Sequence, residues 1–284
     1  SRARTPMGPD RGEGWSGMSI SHVVSRSVRD SAAMLDATHG PAAGDPYAAP
    51  AYAGSYLEET KKAPGKLSVS FTAKRPNGTT CHKDVVAAIE WTAKLLADLG
   101  HHVEEAAPAI DVNEVAKHQA TLIGANVLMS LRSRAAQLGR ELTGDDVEVF
   151  TSLVAESAKM RSSADYAESV LFIHQLGRKL AGYHERYDIH LSPTLAAPPV
   201  KLGVLNTMSA DVGAYLAASA EYMPNIGIYN MTGQPSMSVP LHWNGDGLPL
   251  GMMFTGRFGE EAMLFRLAAQ LEKAQPWKDR RPVL

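Results

Sequence analysis

The sequence has few of the features that commonly identify a function. One cysteine, Cys81, among 284 residues excludes an internal disulfide and is typical of a reducing compartment, so we expect a cytoplasmic protein. Twenty-eight Lys and Arg nearly balance 30 Asp and Glu, which argues against a nucleic acid or an anionic membrane as the main partner. The longest uncharged run, residues 222–245, contains Pro235, Pro240 and His242 and is therefore no membrane span.

The sequence also contains no complete catalytic or metal-binding motif. It has no Gly-x-Ser-x-Gly nucleophile elbow and no Ser-x-x-Lys. Residues 12–17 match Gly-x-Gly-x-x-Gly, but no strand pattern precedes them, so we interpret them as a glycine-rich surface loop rather than a nucleotide site. His101, His102, Glu104 and Glu105 follow one another on a predicted strand, where neighbours point to opposite faces; we interpret them as a solvated strand end. No cofactor and no metal are expected.

Local patterns predict an α/β fold. Residues 67–71 alternate apolar and polar side chains, which is typical of a half-buried strand. Residues 83–99 place apolar side chains on one helical face, Gly100 stands where a C′ glycine belongs, and residues 101–105 resume a strand. Strand, helix and strand in this length predict a βαβ crossover and a sheet that is at least partly parallel.

The remaining elements are predicted from caps, turns and periodicity. Ser27 to Asp30 reads as a capping box that opens a short helix, and residues 41–64 read as a connecting loop. Residues 112–187 are predicted to be mostly helical, with residues 143–146 as a second N-cap. The last third predicts a strand at 236–240, a hairpin turn at 244–247, a returning strand at 250–255 and a closing helix whose inner side carries Met263, Leu264, Leu267, Ala268 and Leu271.

Four stretches, in the same order along the chain, resemble a known family. They are residues 25–36, residues 95–103, residues 187–194, and the run from Asn230 to Pro240 that continues in residues 247–252. Together they resemble the C-terminal portion of amidase-signature hydrolases, relatives of the A subunit of glutamyl-tRNA amidotransferase and of fatty-acid amide hydrolase. Within that family, residues 142–148 and the ending from Trp277 to Pro282 are most similar to 6-aminohexanoate cyclic dimer hydrolases.

The resemblance implies a mixed β-sheet covered by helices, and it implies that residues 1–284 are the C-terminal portion of a single amidase-signature domain, lacking the N-terminal catalytic half. Members of the family cleave amide C–N bonds through an acyl-enzyme, using a serine nucleophile, a second serine in a cis peptide and a lysine. In the family these groups lie in an N-terminal glycine- and serine-rich signature, which this sequence does not contain. We therefore assign no catalytic residue, and we do not promote Ser16, Ser192 or Ser236 to that role.

The resemblance selects residues 230–240 as the loop closest to the substrate. We select Asn230, Thr232, Gly233 and Gln234 as a candidate pocket wall. Glycine permits a close backbone approach, and Gln234 followed by Pro235 can hold a tight turn. The alternative, that these residues only shape the end of a core strand, is equally open.

The expected function is a part in the hydrolysis of a small-molecule amide, performed by a longer polypeptide. Two alternatives stay open: a non-catalytic binding protein descended from an amidase, and a subunit that completes a split amidase. An incomplete α/β sheet exposes an edge strand and apolar helix faces. We therefore expect the chain to associate with itself or with the missing N-terminal half.

Overall fold

The computed structural model describes residues 1–223 and 226–282. Its secondary structure is mixed α/β. The strands are β1 (Ser68–Phe71), β2 (His102–Glu105), β3 (Ile189–Pro193), β4 (Ser236–Trp243) and β5 (Pro249–Gly256). The helices are α1 (Val28–Thr38), α2 (Tyr56–Glu59), α3 (Lys83–Asp98), α4 (Val112–Leu138), α5 (Val149–Lys159), α6 (Ser163–Arg186), α7 (Val212–Tyr222), α8 (Ile226–Thr232) and α9 (Glu261–Ala274). Among these helices, none combines the length and the apolar character needed to cross a bilayer.

The five strands form one sheet in the order β2-β1-β3-β5-β4. Strand β1 pairs in parallel with both β2 and β3, which confirms the predicted βαβ crossover through α3. Strand β5 runs antiparallel to both β3 and β4. The predicted hairpin is also confirmed, because the Asn244 carboxamide oxygen accepts hydrogen bonds from the backbone N–H groups of Asp246 and Leu248 at 3.1 and 2.9 Å.

Several helix ends follow directly from the local sequence. The Ser27 hydroxyl accepts a hydrogen bond from the Asp30 N–H and starts α1, as predicted. Helix α3 ends before Gly100, whose φ of 94° lies in the left-handed region that glycine enters without strain. Helix α6 begins with a full capping box between Ser162 and Asp165.

One face of the sheet is apolar and lies against α3 and α9. Its core combines strand side chains with the inner sides of these two helices: Val69, Ile189, Leu191, Phe254, Met252, Val239, Val85, Ile89, Leu96, Leu264, Leu267 and Leu271. The predicted inner side of the closing helix is thus confirmed for Leu264, Leu267, Ala268 and Leu271, which are buried. Burial of this face provides most of the hydrophobic stabilisation of the sheet.

The opposite face of the sheet is largely polar. Tyr183 of α6 packs on His190 there, whereas Ser236 and Ser238 of β4 are exposed. The strand register aligns four side chains across four strands: Ser70, His190, Thr255 and Ser236. The prediction that β1 is half-buried is wrong, since Ser70 has no exposed surface. Ser70 is buried because its hydroxyl pairs with His190 Nδ1 at 2.9 Å, which satisfies both groups away from water.

Two local predictions are corrected by side-chain hydrogen bonds. The predicted loop at residues 41–64 contains helix α2, which forms because the Asp36 carboxylate accepts hydrogen bonds from the Tyr56 and Leu57 N–H groups at 2.6 and 3.0 Å. Residues 143–146 do not cap a helix, since α5 begins at Val149. Asp146 instead pairs with Arg140 at 2.7 Å.

The interpretation of residues 101–105 as a solvated strand end is wrong for His101, which is 6% exposed. Its Nδ1 accepts a hydrogen bond from the Leu67 N–H at 3.2 Å, and its Nε2 lies 2.8 Å from the Gln270 side-chain oxygen. No group of three metal-ligating side chains comes together anywhere in residues 1–223 and 226–282. The glycine-rich segment at 12–17 forms a loop that closes in a bridge between Gly14 and Ser19.

Candidate functional site

The segment from Asn230 to Pro240 is ordered by the packing of this chain itself. It is not a loop throughout, because residues 230–232 are the last residues of α8 and β4 begins at Ser236. The resemblance predicts a loop here, and it is correct only for residues 233–235. Thr232, Gly233 and Gln234 are buried, whereas Asn230 is exposed.

Arg2 holds the turn between α8 and β4. Its backbone N–H donates to the Gly233 oxygen at 2.9 Å, and its guanidinium donates to the Met231 oxygen and, at 2.8 Å, to the Gly17 oxygen. Gly233 has a φ of 83°, and a Cβ atom at this position would lie 2.8 Å from the Cβ of Arg2. Position 233 therefore requires glycine both for its backbone conformation and for the close approach of Arg2.

A groove of about 590 Å³ runs along the free side of β4. Asn230 and Gln234 line it at one end. Its wall is largely apolar, with contributions from β4, α1, α9 and the segment after α9: Val239, Val28, Leu35, Leu264, Phe265 and Trp277. Apolar clefts with a few polar groups are the usual form of small-molecule sites.

Gln234 connects this groove with a second cavity. It lines both, while Thr232 lines only the second cavity. Gln234 is 5% exposed, and its amide oxygen has no hydrogen-bond partner among the described residues. A buried amide oxygen without a partner costs about 1–3 kcal/mol, so this atom is suited to accept a hydrogen bond from a bound ligand or water. Of the four residues of the predicted pocket wall, Asn230 and Gln234 both line the groove. Gly233 contributes through its backbone, which holds the turn before Gln234.

A buried ion pair supports the chain beneath this region. Arg4 donates to the Glu261 carboxylate at 2.8 Å and to the Pro50 oxygen at 2.6 Å. The backbone nitrogen of Ser1 lies 2.6 Å from the other Glu261 oxygen. Burial alone would raise the pKa of Glu261, but the hydrogen bond from Arg4 and the Ser1 ammonium group with which this chain begins lower it to about 2.

Three serine–histidine hydrogen bonds occur among the described residues, and no sequence motif indicates them. They join Ser31 with His22, Ser169 with His118, and Ser70 with His190, at 2.9 Å each. The partners lie 9, 51 and 120 positions apart, so no short motif could have connected them. Only the knowledge of which helices and strands are neighbours in the fold would have indicated these pairs.

These pairs do not form a catalytic set. Ser169 is 1% exposed and Ser70 has no exposed surface, so neither hydroxyl can meet a substrate. Ser31 and His22 both line the groove. Within the described part of the chain, however, His22 has no hydrogen bond from its second ring nitrogen to a carboxylate, which a triad uses to orient its base.

His190 is the most strongly perturbed histidine of the site region. Burial and, to a smaller extent, the neighbouring His184 lower the pKa of His190 to about 3. The Tyr183 hydroxyl lies 3.4 Å from its Nδ1, beside the Ser70 contact. His190 is therefore neutral in the folded chain at neutral pH.

We expect the free energy of unfolding to decrease as the pH is lowered, because of His190. Below pH 6.5 the unfolded chain binds a proton at this residue, while the folded chain does not until pH approaches 3. Stability is thus full above pH 6.5 and decreases by about 1.4 kcal/mol per pH unit below it, or about 2 kcal/mol at pH 5. Urea unfolding of the chain and of His190→Asn between pH 5 and 8 measures this difference.

Asparagine at 190 keeps a polar atom near the position of Nδ1, so the variant should lose most of the pH slope while still folding. His102→Asn, on the exposed edge strand β2, is the matched control and should keep the slope. An unchanged slope in His190→Asn would show that other groups cause the acid sensitivity.

The fold matches that of known hydrolases. A sequence model of the family described as Amidase matches residues 9–265, so the chain belongs to the amidase family. The structure of 6-aminohexanoate cyclic dimer hydrolase complexed with substrate superimposes with a TM-score of 0.92 at 29% identity, covering 99% of this chain and 60% of that one. A bacterial aryl acylamidase of the amidase-signature family, 18% identical with a TM-score of 0.78, shares the fold.

Curated relatives show the same extent of similarity. The 6-aminohexanoate-cyclic-dimer hydrolase of Paenarthrobacter ureafaciens is 30% identical over 270 residues, covering 92% of this chain and 55% of the relative. The putative amidase AmiB2 of Mycobacterium tuberculosis is 28% identical over 283 residues, covering 99% of this chain and 57% of the relative. The chain thus spans little more than half the length of the curated relatives it matches. The predicted family and its α/β fold are confirmed.

Proposed function

We propose that this chain is the C-terminal portion of a cytoplasmic amidase that hydrolyses a C–N bond in a small, non-peptide amide. The observation that carries the proposal is the similarity over 99% of the chain, at a TM-score of 0.92, to a cyclic dimer hydrolase complexed with its substrate. The catalytic serine, second serine and lysine belong to a part of the longer polypeptide outside residues 1–284. Neither a metal nor another cofactor takes part.

The proposed reaction proceeds through an acyl-enzyme. The serine oxygen attacks the amide carbonyl, and backbone N–H groups stabilise the oxyanion that forms. The C–N bond then breaks as the amine leaves with a proton delivered through the lysine. Water hydrolyses the resulting ester, which releases the carboxylic acid and restores the serine.

In this reaction the chain supplies a wall of the substrate site. The buried Gln234 oxygen has no partner among the described residues, and it is suited to accept a hydrogen bond from a substrate N–H. Asn230 offers a second amide at the same end of the groove. Arg2 and Gly233 act indirectly, because they fix the turn that carries Gln234.

The two edges of the sheet differ in a way that favours packing of the rest of the domain along β4. Edge strand β2 carries His102, Glu104 and Glu105, and such charges discourage strand addition. Edge strand β4 is uncharged from Ser236 to Trp243 and borders the apolar groove. We therefore propose that the catalytic portion packs on β4 and covers the groove.

The test is an amidase assay of the longer polypeptide on anilides, linear amides and cyclic amides. We expect turnover of at least one class, and trapping of an acyl group on a serine outside residues 1–284. Gln234→Ala should raise KM about tenfold with a change in kcat of no more than about threefold, because it removes a binding hydrogen bond.

Gln175→Ala is the matched control, since Gln175 is an exposed glutamine on α6 away from the groove. It should leave both constants unchanged. A longer polypeptide that folds but hydrolyses no amide would overturn the proposed function. Equal effects of the two substitutions would overturn the assignment of Gln234 alone.

A further inference from the structure

The second cavity that Gln234 lines is rich in positively charged side chains. It encloses about 590 Å³ between α6 and the turn that follows α8. Three arginines line it, Arg2, Arg178 and Arg257, together with His174. No carboxylate is found among its lining residues in the described part of the chain. In a chain of net charge −2, such a concentration of guanidinium groups favours an anionic ligand.

Arg178 is the cation with the most free hydrogen-bonding capacity. It is exposed on α6, one turn after His174, and it forms no hydrogen bond or ion pair with the described residues. A guanidinium offers five N–H donors in a planar fork that matches a carboxylate. Arg178 can therefore give a complete bidentate contact to a ligand without breaking an existing one.

The other two arginines are held in place and are only partly used. Arg257 donates from Nε to the His184 oxygen at 2.6 Å and pairs through Nη2 with Asp188 at 3.0 Å. Arg2 uses Nε and Nη2 on the Gly17 and Met231 oxygens. In both arginines, the Nη1 group makes no hydrogen bond with the described residues and can donate to a ligand. Because the other nitrogens already hold the guanidinium in place, less side-chain entropy is lost on binding.

The floor of the cavity is apolar. Gly177 and Ala181 lie along α6, and Ile173 is buried beside them. Phe258 stands at the wall with 45% of its surface exposed. Gly177 presents no side chain to the cavity, and its Cα side lies near the Thr232 backbone oxygen, since a Cβ atom there would lie 3.9 Å from that oxygen, an ordinary contact distance. A ligand that fills the cavity therefore combines an anionic head with an apolar body.

We propose that this cavity is a binding site for a small organic carboxylate, with Arg178 as its main anchor. The carboxylate pairs with Arg178 and the free sides of Arg2 and Arg257, and the apolar body lies on Gly177 and Phe258. Binding requires none of the catalytic groups of the proposed amidase, so the site can be present even if the chain has no part in amide hydrolysis.

Calorimetric titration of the purified chain with benzoate tests the proposal, with benzamide and inorganic phosphate as comparison ligands. Benzamide has the same shape without the charge, and phosphate has the charge without the apolar body. We expect saturable binding of benzoate, at least tenfold tighter than of either comparison ligand. Arg178→Gln should weaken benzoate binding at least tenfold.

Lys179→Gln is the matched control, since it removes a positive charge from the next residue of α6, which is exposed and does not line the cavity. It should leave the affinity within about twofold. The proposal is overturned if benzoate does not saturate, if benzamide or phosphate binds as tightly, or if both substitutions weaken binding equally. Circular dichroism of both variants shows that α6 is intact.

Discussion

Purified alone, the chain is expected to hydrolyse amides no faster than background, roughly 10⁶-fold below the longer polypeptide that includes the catalytic signature of the family. A free serine hydroxyl is a weak nucleophile near neutral pH and requires a positioned base and an oxyanion site. Ser192 is buried, and Ser236 is hydrogen-bonded to Thr255 at 2.8 Å. The Ser16 hydroxyl pairs with the Tyr166 hydroxyl at 2.7 Å and accepts from the Asn126 side chain at 3.1 Å, and neither partner is a histidine, a lysine or a carboxylate.

Ser31 provides the sharpest check of this expectation, because it pairs with His22 at 2.9 Å on the surface of the groove. Ser31→Ala should not alter the background rate of the chain, and it should leave kcat of the longer polypeptide within about threefold. The assay compares anilides, linear amides and cyclic amides at equal protein concentration. Turnover by the chain that Ser31→Ala or His22→Gln abolishes would place the active site within these residues.

Glu261→Gln is expected to destabilise the chain by about 3–5 kcal/mol, because it leaves the buried Arg4 guanidinium without its counter-charge. Arg4 is 4% exposed and its Nε already has no partner among the described residues, so the structure offers little to compensate. The pKa of Glu261 is lowered to about 2. The stability it provides is therefore complete above pH 4.5 and is lost as pH falls toward 2. Urea unfolding at pH 7 measures the loss.

Glu260→Gln is the control for this substitution, since Glu260 is the exposed neighbour and makes no side-chain capping bond to α9. It should change the free energy of unfolding by no more than about 0.5 kcal/mol. A loss in Glu261→Gln as small as that of the control would mean that water reaches Arg4 and solvates it.

The sheet elements and the longer helices could be predicted because their signals are local. The crossover from β1 through α3 to β2 depends on one apolar helical face and on Gly100, and the hairpin depends on the turn at 244–247. Helix α2 has a local start signal, since the Ser55 hydroxyl caps it by accepting from the Glu58 N–H, but the helix is only four residues long and a second support, Asp36, lies nearly twenty positions earlier in the chain. Residues 143–146 resemble a helix N-cap, but the Asp146 carboxylate forms an ion pair with Arg140 instead.

The candidate site could be predicted only in part. The resemblance selected residues 230–234, and the structure groups Asn230 with Gln234 on one groove. The resemblance could not indicate that Arg2 donates to the Gly233 oxygen, nor that Ser31 is hydrogen-bonded to His22, because these contacts join separate segments. The arginine-lined cavity was missed for the same reason, since Arg2, Arg178 and Arg257 are far apart in the chain.

By itself, the sequence determined four of the strands, the longer helices in outline, the parallel crossover and the membership of a hydrolase family. Only the tertiary structure decided the order of the strands in the sheet and what covers the polar and the apolar side of each strand. The alternation of side chains in a strand shows that two faces exist, but not which helices pack on them. The row of Ser70, His190, Thr255 and Ser236 exists because pairing aligns four strands in one register, and a neutral buried histidine is possible only where such a neighbour satisfies it.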